Sequence, residues 1–131
     1  MKRNRVVLIV DDHAPLASSL ISLFSAAGFN AQAVHSGAEA LAFLHNHTVA
    51  LMLLDMSLPD MSGADVLRAI RVPGGEHFHS LPVVVFSADD HQAIRDELTK
   101  LGATDFVSKT NPSGLLRIVS AHLRPANPPP A

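Results

Sequence analysis

Residues 6–13, VVLIVDDH, run five apolar side chains directly into two carboxylates and an imidazole. An apolar run of this length, rich in β-branched residues, is typical of a strand buried on both faces. The adjacent carboxylates of Asp11 and Asp12 repel each other and lose hydration beside an apolar core, which costs stability unless a positive charge offsets it. The stretch therefore predicts a buried strand at Val6–Val10 and a positively charged partner where that strand ends.

Comparable apolar runs recur and alternate with segments of helical spacing. Continuous runs predict strands at Val49–Leu54 and Val83–Phe86, and weaker ones predict strands at Ala31–Val34 and Phe106–Val107. Apolar residues at helical spacing predict five intervening helices, marked by Leu16, Leu20, Leu23, Phe24 and Ala27; Leu41 and Leu44; Val66, Leu67 and Ile70; Ile94, Leu98 and Leu101; and Leu115, Ile118, Val119 and Leu123. Five such units predict an α/β fold, a (βα)5 doubly wound sheet of five parallel strands with helices on both faces.

Capping signals mark the ends of the predicted helices. Gly28 and Gly102 stand where left-handed residues end the first and fourth helices, and Ser36 with Glu39 forms a capping box for the second. The remaining N-terminal caps are expected at Asp89 or Asp90 for the fourth helix and at Asn111, followed by Pro112, for the fifth. The proline-rich residues 124–131 predict a linker remnant or a disordered end, so we expect one domain over residues 1–123.

Composition narrows the classes of function. The 131 residues are 47% hydrophobic and carry a net charge of −2, which fits one globular domain and makes nucleic-acid binding by this chain alone unexpected. The absence of cysteine excludes disulfides and thiolate chemistry and suits a cytoplasmic location. The apolar part of the N-terminal segment is too short for a signal peptide, and no stretch is long enough to span a membrane.

Polar residues stand at the ends of four of the five predicted strands. Asp11 and Asp12 end the first strand, Asp55 ends the third, Ser87 ends the fourth, and the fifth runs into Lys109. In a sheet of flavodoxin-like order 2-1-3-4-5, ligands bind outside the carboxyl ends of the strands, where the strand order reverses between strands one and three. We therefore expect three carboxylates to share one crevice with a lysine nearby.

Such a cluster favours a hard divalent cation. Mg²⁺ takes oxygen ligands and is usually held by one or two carboxylates together with waters and phosphate oxygens. With Lys109, it would balance the three negative charges of Asp11, Asp12 and Asp55. A phosphoryl group on one carboxylate would complete the coordination and contact Lys109, the hydroxyl of Ser87 and backbone N–H groups.

From about Arg5 to Leu123, the chain resembles the receiver domain of two-component response regulators. The resemblance rests on the acidic pair, on Asp55 within LLDMSLPDMSG, on Ser87 within VVVFSA, and on Lys109. Other residues at the family's spacing are Phe106, which matches the switch aromatic, and Pro59 and Gly63, which follow the acceptor. Two departures stand out, because Thr110 replaces the usual proline after Lys109 and phenylalanine replaces the common tyrosine at position 106.

The resemblance implies a role for each matched residue. Asp55 is expected to be the phosphoacceptor, with Asp11, Asp12 and the backbone carbonyl of Ser57 as further Mg²⁺ ligands. Lys109 would contact the phosphoryl group, Ser87 and Phe106 would form the switch pair, and the small side chain of Ala88 would leave the acceptor accessible.

The function implied is that of a phosphoacceptor signalling switch. The phosphoryl group is expected to come from a phosphohistidine on a histidine kinase or a histidine phosphotransfer protein. The output surface is expected on the fourth helix, fifth strand and fifth helix, with no catalysis beyond self-phosphorylation and self-dephosphorylation. A homodimer through the fourth and fifth helices is compatible with the resemblance, although no exposed apolar patch in the sequence requires one.

Other interpretations of the same residues stay open. Asp11 and Asp12 could serve as a helix N-cap and first-turn charge, Ser87 could start a turn, and Lys109 could be a surface residue. His13, next to the acidic pair, is a hypothetical pH-dependent cation. The pairs His45-x-His47 and His77-x-His79 invite a zinc site but lack cysteine or sufficient carboxylate partners.

Two rival functions also remain. A small Mg²⁺-dependent phosphatase acting through an aspartyl phosphate would normally have a second acid two residues after its nucleophile, where this chain has Ser57. A receiver-like interaction module that is never phosphorylated is favoured only by the altered loop after Lys109.

Overall fold

The computed structural model describes residues 6–71, 80–88, 91–109 and 114–123. Within these ranges, strands and helices alternate strictly. The elements are β1 Val6–Val10, α1 Ala14–Ala26, β2 Ala31–Val34, α2 Gly37–Asn46, β3 Val49–Asp55, α3 Gly63–Ile70, β4 Val83–Ser87, α4 Gln92–Lys100, β5 Asp105–Ser108 and α5 Leu115–His122.

The five strands form one sheet in which every neighbouring pair is parallel. Their order is β2-β1-β3-β4-β5, which confirms the predicted topology. Val10 of β1 lies opposite Leu54 of β3, so Asp11 and Asp55 follow at the same level of the sheet. The register thus brings the acidic ends of β1 and β3 side by side.

Two apolar layers enclose the sheet. Because side chains alternate along a strand, Val7 and Ile9 pack with Phe24 in one layer, whereas Leu8 and Val10 pack with Leu67 in the other. All five residues of β1 are at most 3% exposed. The continuous apolar runs in the sequence therefore reflect burial on both faces of a parallel sheet.

Three strands extend beyond their apolar runs. β3 includes Asp55 and β4 includes Ser87, because Asp55 still pairs with Phe86 and Ser87 with Ser108. β5 runs from Asp105 to Ser108 rather than covering only its two apolar residues. Polar side chains at a strand end do not interrupt the backbone hydrogen bonds, so apolar patterning predicts such strands one or two residues short.

The helix ends follow the sequence signals in part. Gly28 and Gly102 have φ angles of 94° and 107°, as expected for left-handed cap residues. The Ser36 hydroxyl accepts a hydrogen bond from the Glu39 N–H, but the Glu39 carboxylate accepts from the N–H of His35 instead of completing the predicted capping box. The complete capping box lies at Ser62 and Asp65 of α3, which the sequence analysis did not single out.

The predicted N-caps of the fourth and fifth helices and the C-terminal tail fall on residues that the structure does not describe. The N-cap residues of α4 and α5 are His91 and Gly114. Asp89, Asp90, Asn111, Pro112 and the tail at 124–131 lie outside the described residues. In the described part of the chain, no helix is long and apolar enough to cross a bilayer.

The glycine at the end of α4 gives a test of the turn geometry. An ideal Cβ on Gly102 would lie 2.8 Å from Cγ and from Nε of Arg71, the side chain that donates hydrogen bonds to the carbonyls of Leu81 and Gly102. The left-handed backbone and this crowding together predict that Gly102→Ala lowers the free energy of unfolding by about 1 to 2 kcal/mol.

Gly114 is the matched control, because its φ is −87° and none of the described residues lies within 4 Å of an added Cβ. Gly114→Ala should change stability by no more than about 0.5 kcal/mol. Urea unfolding followed by far-ultraviolet circular dichroism measures both, since the chain has no tryptophan or tyrosine. Equal effects of the two substitutions would contradict the assignment.

Candidate functional site

Three carboxylates meet at the carboxyl ends of β1 and β3. Asp11, Asp12 and Asp55 each offer one oxygen, and these oxygens lie within 4.8 Å of one another. Asp11 and Asp55 are buried at 1% and 6% exposure, whereas Asp12 is exposed. The structure thus brings together the three acids that the strand order predicted to converge.

Lys109 lies against two of these acids. Its Nζ is 3.0 Å from Oδ2 of Asp11 and 3.2 Å from Oδ2 of Asp55. The N–H of Lys109 donates to the carbonyl of Ser87 at 2.9 Å, which fixes the loop after β5 to the end of β4. Lys109 is therefore part of the acidic pocket and not a lysine of the open surface.

The Asp11 side chain is held on both oxygens. Oδ1 accepts a hydrogen bond from the N–H of His13 at 2.9 Å, and Oδ2 faces the Lys109 ammonium. The N-cap residue of α1 is His13, and Asp12, the residue before it, has an exposed side chain. The helix-capping interpretation of the acidic pair accounts at most for one oxygen of Asp11 and leaves its burial beside Asp55 unexplained.

Burial sets the ionisation of the acceptor candidate. Desolvation raises the pKa of Asp55 above its usual value; hydrogen bonds from the Ser57 N–H and from Lys109 oppose the rise, and the charge of Asp11 adds to it. Burial lowers the pKa of Lys109, but its hydrogen bonds and charge interactions with Asp11 and Asp55 outweigh burial, so that its pKa is raised. The raised pKa of Lys109 favours its protonated form, so the pocket contains one ammonium facing a cluster of three carboxyl groups.

The donor set fits a hard divalent cation. All three candidate ligands are carboxylates, the type of oxygen donor that Mg²⁺ prefers. Among the described residues, the buried Oδ2 atom of Asp11 has the Lys109 ammonium, 3.0 Å away, as its partner. An additional cation would offset the negative charge that a single ammonium leaves uncompensated in this pocket.

The loop after Asp55 is folded tightly. The N–H of Ser57 donates to Oδ1 of Asp55 at 3.2 Å, and Ser57 forms an antiparallel bridge with Ser62. A Cβ on Gly63 would lie 2.9 Å from the carbonyl oxygen of Asp55, so glycine is needed for the backbone to pass this closely. The Ser57 amide is thereby placed beside the acceptor, while the ligand role of its carbonyl stays a prediction.

A contact that sequence reasoning missed holds the same loop to α2. The two carboxylate oxygens of Asp60 accept hydrogen bonds from the N–H groups of Gly37 and Ala38 at 2.8 and 2.9 Å. Asp60 thereby caps α2 from a loop more than twenty residues away in sequence. The sequence alone indicated no role for Asp60, because a cap supplied by a residue distant in sequence leaves no local pattern.

The proposed switch residues lie on the neighbouring strands. Ser87 is half-buried at the end of β4, and Phe106 is half-buried in β5, where the Arg95 guanidinium of α4 lies 5.4 Å from its ring centroid. The contact with Arg95 was not predicted, although an arginine on α4 facing an aromatic of β5 is compatible with the helical pattern. Ala88 is exposed beyond Ser87, and its expected role in leaving Asp55 accessible stays a prediction.

The histidines do not add a second metal centre within the described residues, where the carboxylate cluster alone qualifies. His45 and His47 lie at the C-terminal end of α2, and the ring of His47 stacks on Phe43. His77 and His79 lie outside the described residues. His13 is exposed beside the acidic pocket, so its pH-dependent role stays a hypothesis.

Comparisons with known proteins agree with this geometry. A family model for the response regulator receiver domain matches residues 7–120. The chain therefore belongs to the family of response regulator receiver domains, which are regulatory switch domains of two-component systems.

Individual relatives and solved structures support the assignment. The sensory transduction protein RegX3 of Mycolicibacterium smegmatis is 38% identical over 79% of this chain and 43% of its own length. The transcriptional regulatory protein CpxR of Klebsiella pneumoniae is 35% identical over 90% of this chain and 49% of its own length. The chain thus spans about half the length of the curated relatives it matches.

Solved structures match over nearly the whole chain. A response regulator receiver protein of Pseudomonas putida superposes with a TM-score of 0.82 and 29% identity, covering 92% of this chain and 99% of the other. The response regulator TrrA of Thermotoga maritima, solved in complex with Mg²⁺-BeF, superposes with a TM-score of 0.77 and 24% identity, covering 91% of this chain and 99% of the other.

The position of Lys109 leads to a prediction about stability. Lys109→Met leaves two buried carboxylates without their shared cation, so the metal-free protein at neutral pH should lose about 2 kcal/mol of unfolding free energy. The control Lys100→Met changes an exposed lysine of α4 and should alter stability by no more than about 0.5 kcal/mol. Urea unfolding in a chelator measures both, and a Lys109→Met variant as stable as the control would contradict the buried ion contacts.

Asp60 gives a prediction about pH. Hydrogen bonds from the N–H groups of Gly37 and Ala38 hold its pKa below the usual value of 3.8. A lowered pKa in the folded state contributes stability above the unfolded pKa and loses it as pH falls through the folded value.

The stability difference between wild type and Asp60→Asn should therefore be fully present above about pH 5 and shrink as the solution is acidified below the usual pKa. The exposed substitution Glu97→Gln corrects for the loss of one negative charge. Unfolding curves at successive pH values measure the difference, and a difference independent of pH would show that the carboxylate does not cap α2 as an anion.

Proposed function

We propose that this chain is a phosphoacceptor switch in which Asp55 receives a phosphoryl group from a phosphohistidine of a partner protein. The observation that carries the proposal is the contact of Lys109 with Asp55 and Asp11 inside a cluster of three carboxylates. A lysine and a cation site on either side of an acceptor oxygen suit a group that arrives with negative charge on its oxygens.

The transfer is an in-line displacement at phosphorus. An oxygen of Asp55 forms the new bond to phosphorus while the bond from phosphorus to the imidazole nitrogen of the donor breaks, and the leaving imidazole takes up a proton. Lys109 stabilises the negative charge on the phosphoryl oxygens, and the hydroxyl of Ser87 binds one of them after transfer. Attack of water on the same phosphorus breaks its bond to the Asp55 oxygen, which releases inorganic phosphate and restores the carboxylate.

We propose Mg²⁺ as the cation, held by Asp11, Asp12, Asp55 and the carbonyl of Ser57. When bound, it would neutralise charge on the phosphoryl oxygens and orient the acceptor. The hard oxygen donors, and the excess of three carboxylates over one ammonium, support this choice.

The readout is proposed to pass through Ser87 and Phe106 to the surface of α4, β5 and α5. Repacking of the phenyl ring after Ser87 binds the phosphoryl group would bias two arrangements of this surface. Since the curated relatives are about twice as long as the matched region, an output region outside this sequence is a further proposal. The donor is proposed to be a histidine kinase or a histidine phosphotransfer protein.

Of the two rival functions, the phosphatase receives less support. Ser57 occupies the position where such an enzyme would carry its acid, and it is exposed with its amide turned to Asp55. The other rival, an interaction module that is never phosphorylated, differs from the switch in one measurable property, the phosphorylation of Asp55.

The test uses phosphoramidate, whose phosphorus–nitrogen bond mimics that of phosphohistidine, and acetyl phosphate as a second donor, each with MgCl₂. We expect intact mass to show one added phosphoryl group on wild type and none on Asp55→Asn. Asp96→Asn, an exposed carboxylate of α4, is the matched control and should be modified like wild type. No adduct on wild type would support the passive module, and release of phosphate from an external phosphomonoester such as p-nitrophenyl phosphate would support the phosphatase.

A further inference from the structure

The β2–α2 turn, which we define as residues His35 to Ala38 and which includes the first two residues of α2, contacts both segments that carry the acidic pocket. On one side, Nδ1 of His35 lies 2.9 Å from the backbone carbonyl oxygen of Asp11. A carbonyl only accepts hydrogen bonds, so Nδ1 carries the proton and donates. On the other side, the N–H groups of Gly37 and Ala38 donate to Asp60 in the loop that follows Asp55.

These contacts are reinforced by the backbone around them. The N–H of Asp11 donates to the carbonyl of Val34 at 3.1 Å, immediately before the turn. An ideal Cβ on Gly37 would overlap the side chain of Met61, so the turn and the loop after Asp55 are packed without a gap. The Asp11 loop and the Asp55 loop are therefore both fixed to one short segment that carries no residue of the pocket itself.

We propose that His35 and Asp60 are positioning residues that set the separation of Asp11 and Asp55 through the β2–α2 turn, and thereby the affinity of the pocket for Mg²⁺. The inference rests on the proposed function. Metal affinity depends on residues behind the ligands, whose loss typically weakens binding about 10-fold to 100-fold. Here those residues act on the backbones of the two ligand-bearing loops and touch no ligand oxygen.

The His35 and Asp60 hydrogen bonds are both needed to hold the affinity of the pocket for Mg²⁺ at its wild-type value. If either side-chain contact is lost, one acidic loop is held to the turn less tightly, and the remaining side-chain contact cannot by itself fix the distance between the two loops. The effects of removing His35 and Asp60 should therefore be less than multiplicative, as expected for groups that act as a unit. Independent stabilising contacts would give multiplicative effects.

The experiment compares Mg²⁺ affinity in full-chain variants by NMR titration of backbone amides with MgCl₂. We expect Asp60→Ala to weaken Mg²⁺ binding about 10-fold. Asp60→Asn retains one acceptor oxygen and should therefore weaken Mg²⁺ binding less than Asp60→Ala does. His35→Phe keeps a ring but removes the donor, and should also weaken binding. The double variant His35→Phe with Asp60→Ala should be little weaker than the more affected single variant.

Ser36→Ala is the matched control for helix capping. It removes the hydrogen bond from the Glu39 N–H at the same end of α2 without touching either acidic loop. It should lower stability as the Asp60 variants do, but change Mg²⁺ affinity less than about two-fold. At saturating MgCl₂, the rate of phosphorylation by acetyl phosphate in Asp60→Ala should return to near the wild-type rate, because the reacting groups are intact.

A readout without metal completes the test. Amide hydrogen exchange in a chelator should quicken at Ser57 in Asp60→Ala and at His13 in His35→Phe, because these amides bind the two carboxylates. Wild-type affinity in Asp60→Ala, or an equal loss in Ser36→Ala, would overturn the inference while leaving phosphorylation of Asp55 intact. A wild-type chain that neither binds Mg²⁺ nor accepts a phosphoryl group would instead overturn the proposed function and, with it, this inference.

Discussion

The contact of one ammonium with two buried carboxylates is the constraint on which the site depends. Lys109 lies 3.0 Å from Asp11 and 3.2 Å from Asp55, and these acids stand on different strands. Without a cation between them, two buried carboxylates at neighbouring strand ends would repel each other and destabilise the sheet edge. The lysine relieves part of that repulsion and so stabilises the folded state. The net negative charge that remains in the pocket favours binding of a further cation.

The sheet order makes this arrangement available, and loop contacts refine it. Parallel strands β1 and β3 are neighbours, so their carboxyl ends bring Asp11 and Asp55 to one level. Strand register fixes that level, but Asp55 is the last residue of β3 and Asp11 lies just beyond the end of β1. The turn from His35 to Ala38 supplies hydrogen bonds to both loops at this point. The fold thus determines which residues meet, and the turn restricts how far apart they stand.

The fold was predictable because the sheet is buried on both faces. Runs such as Val6–Val10 and Val49–Leu54 are continuous, which separates these strands from the amphipathic helices between them. The pocket was predictable for a related reason. A charged residue at the end of a buried strand lowers the stability of the fold unless its charge is compensated, and the strand order determines which strand ends are neighbours. The contacts of His35 and Asp60 were not predictable, because they join loops distant in sequence and leave no periodic pattern.

In the proposed mechanism, phenylalanine at position 106, where tyrosine is common in the family, changes how the readout would be transmitted. Phe106 has no hydroxyl to form a hydrogen bond, but the face of its ring attracts a cation, and the Arg95 guanidinium lies 5.4 Å from the ring centroid. Because Arg95 belongs to α4 and Phe106 to β5, rotation of the ring would alter a contact between these two elements. If the proposed switch acts in this way, ring packing and the contact with Arg95 would connect α4 and β5 through an interaction that a phenyl ring can make.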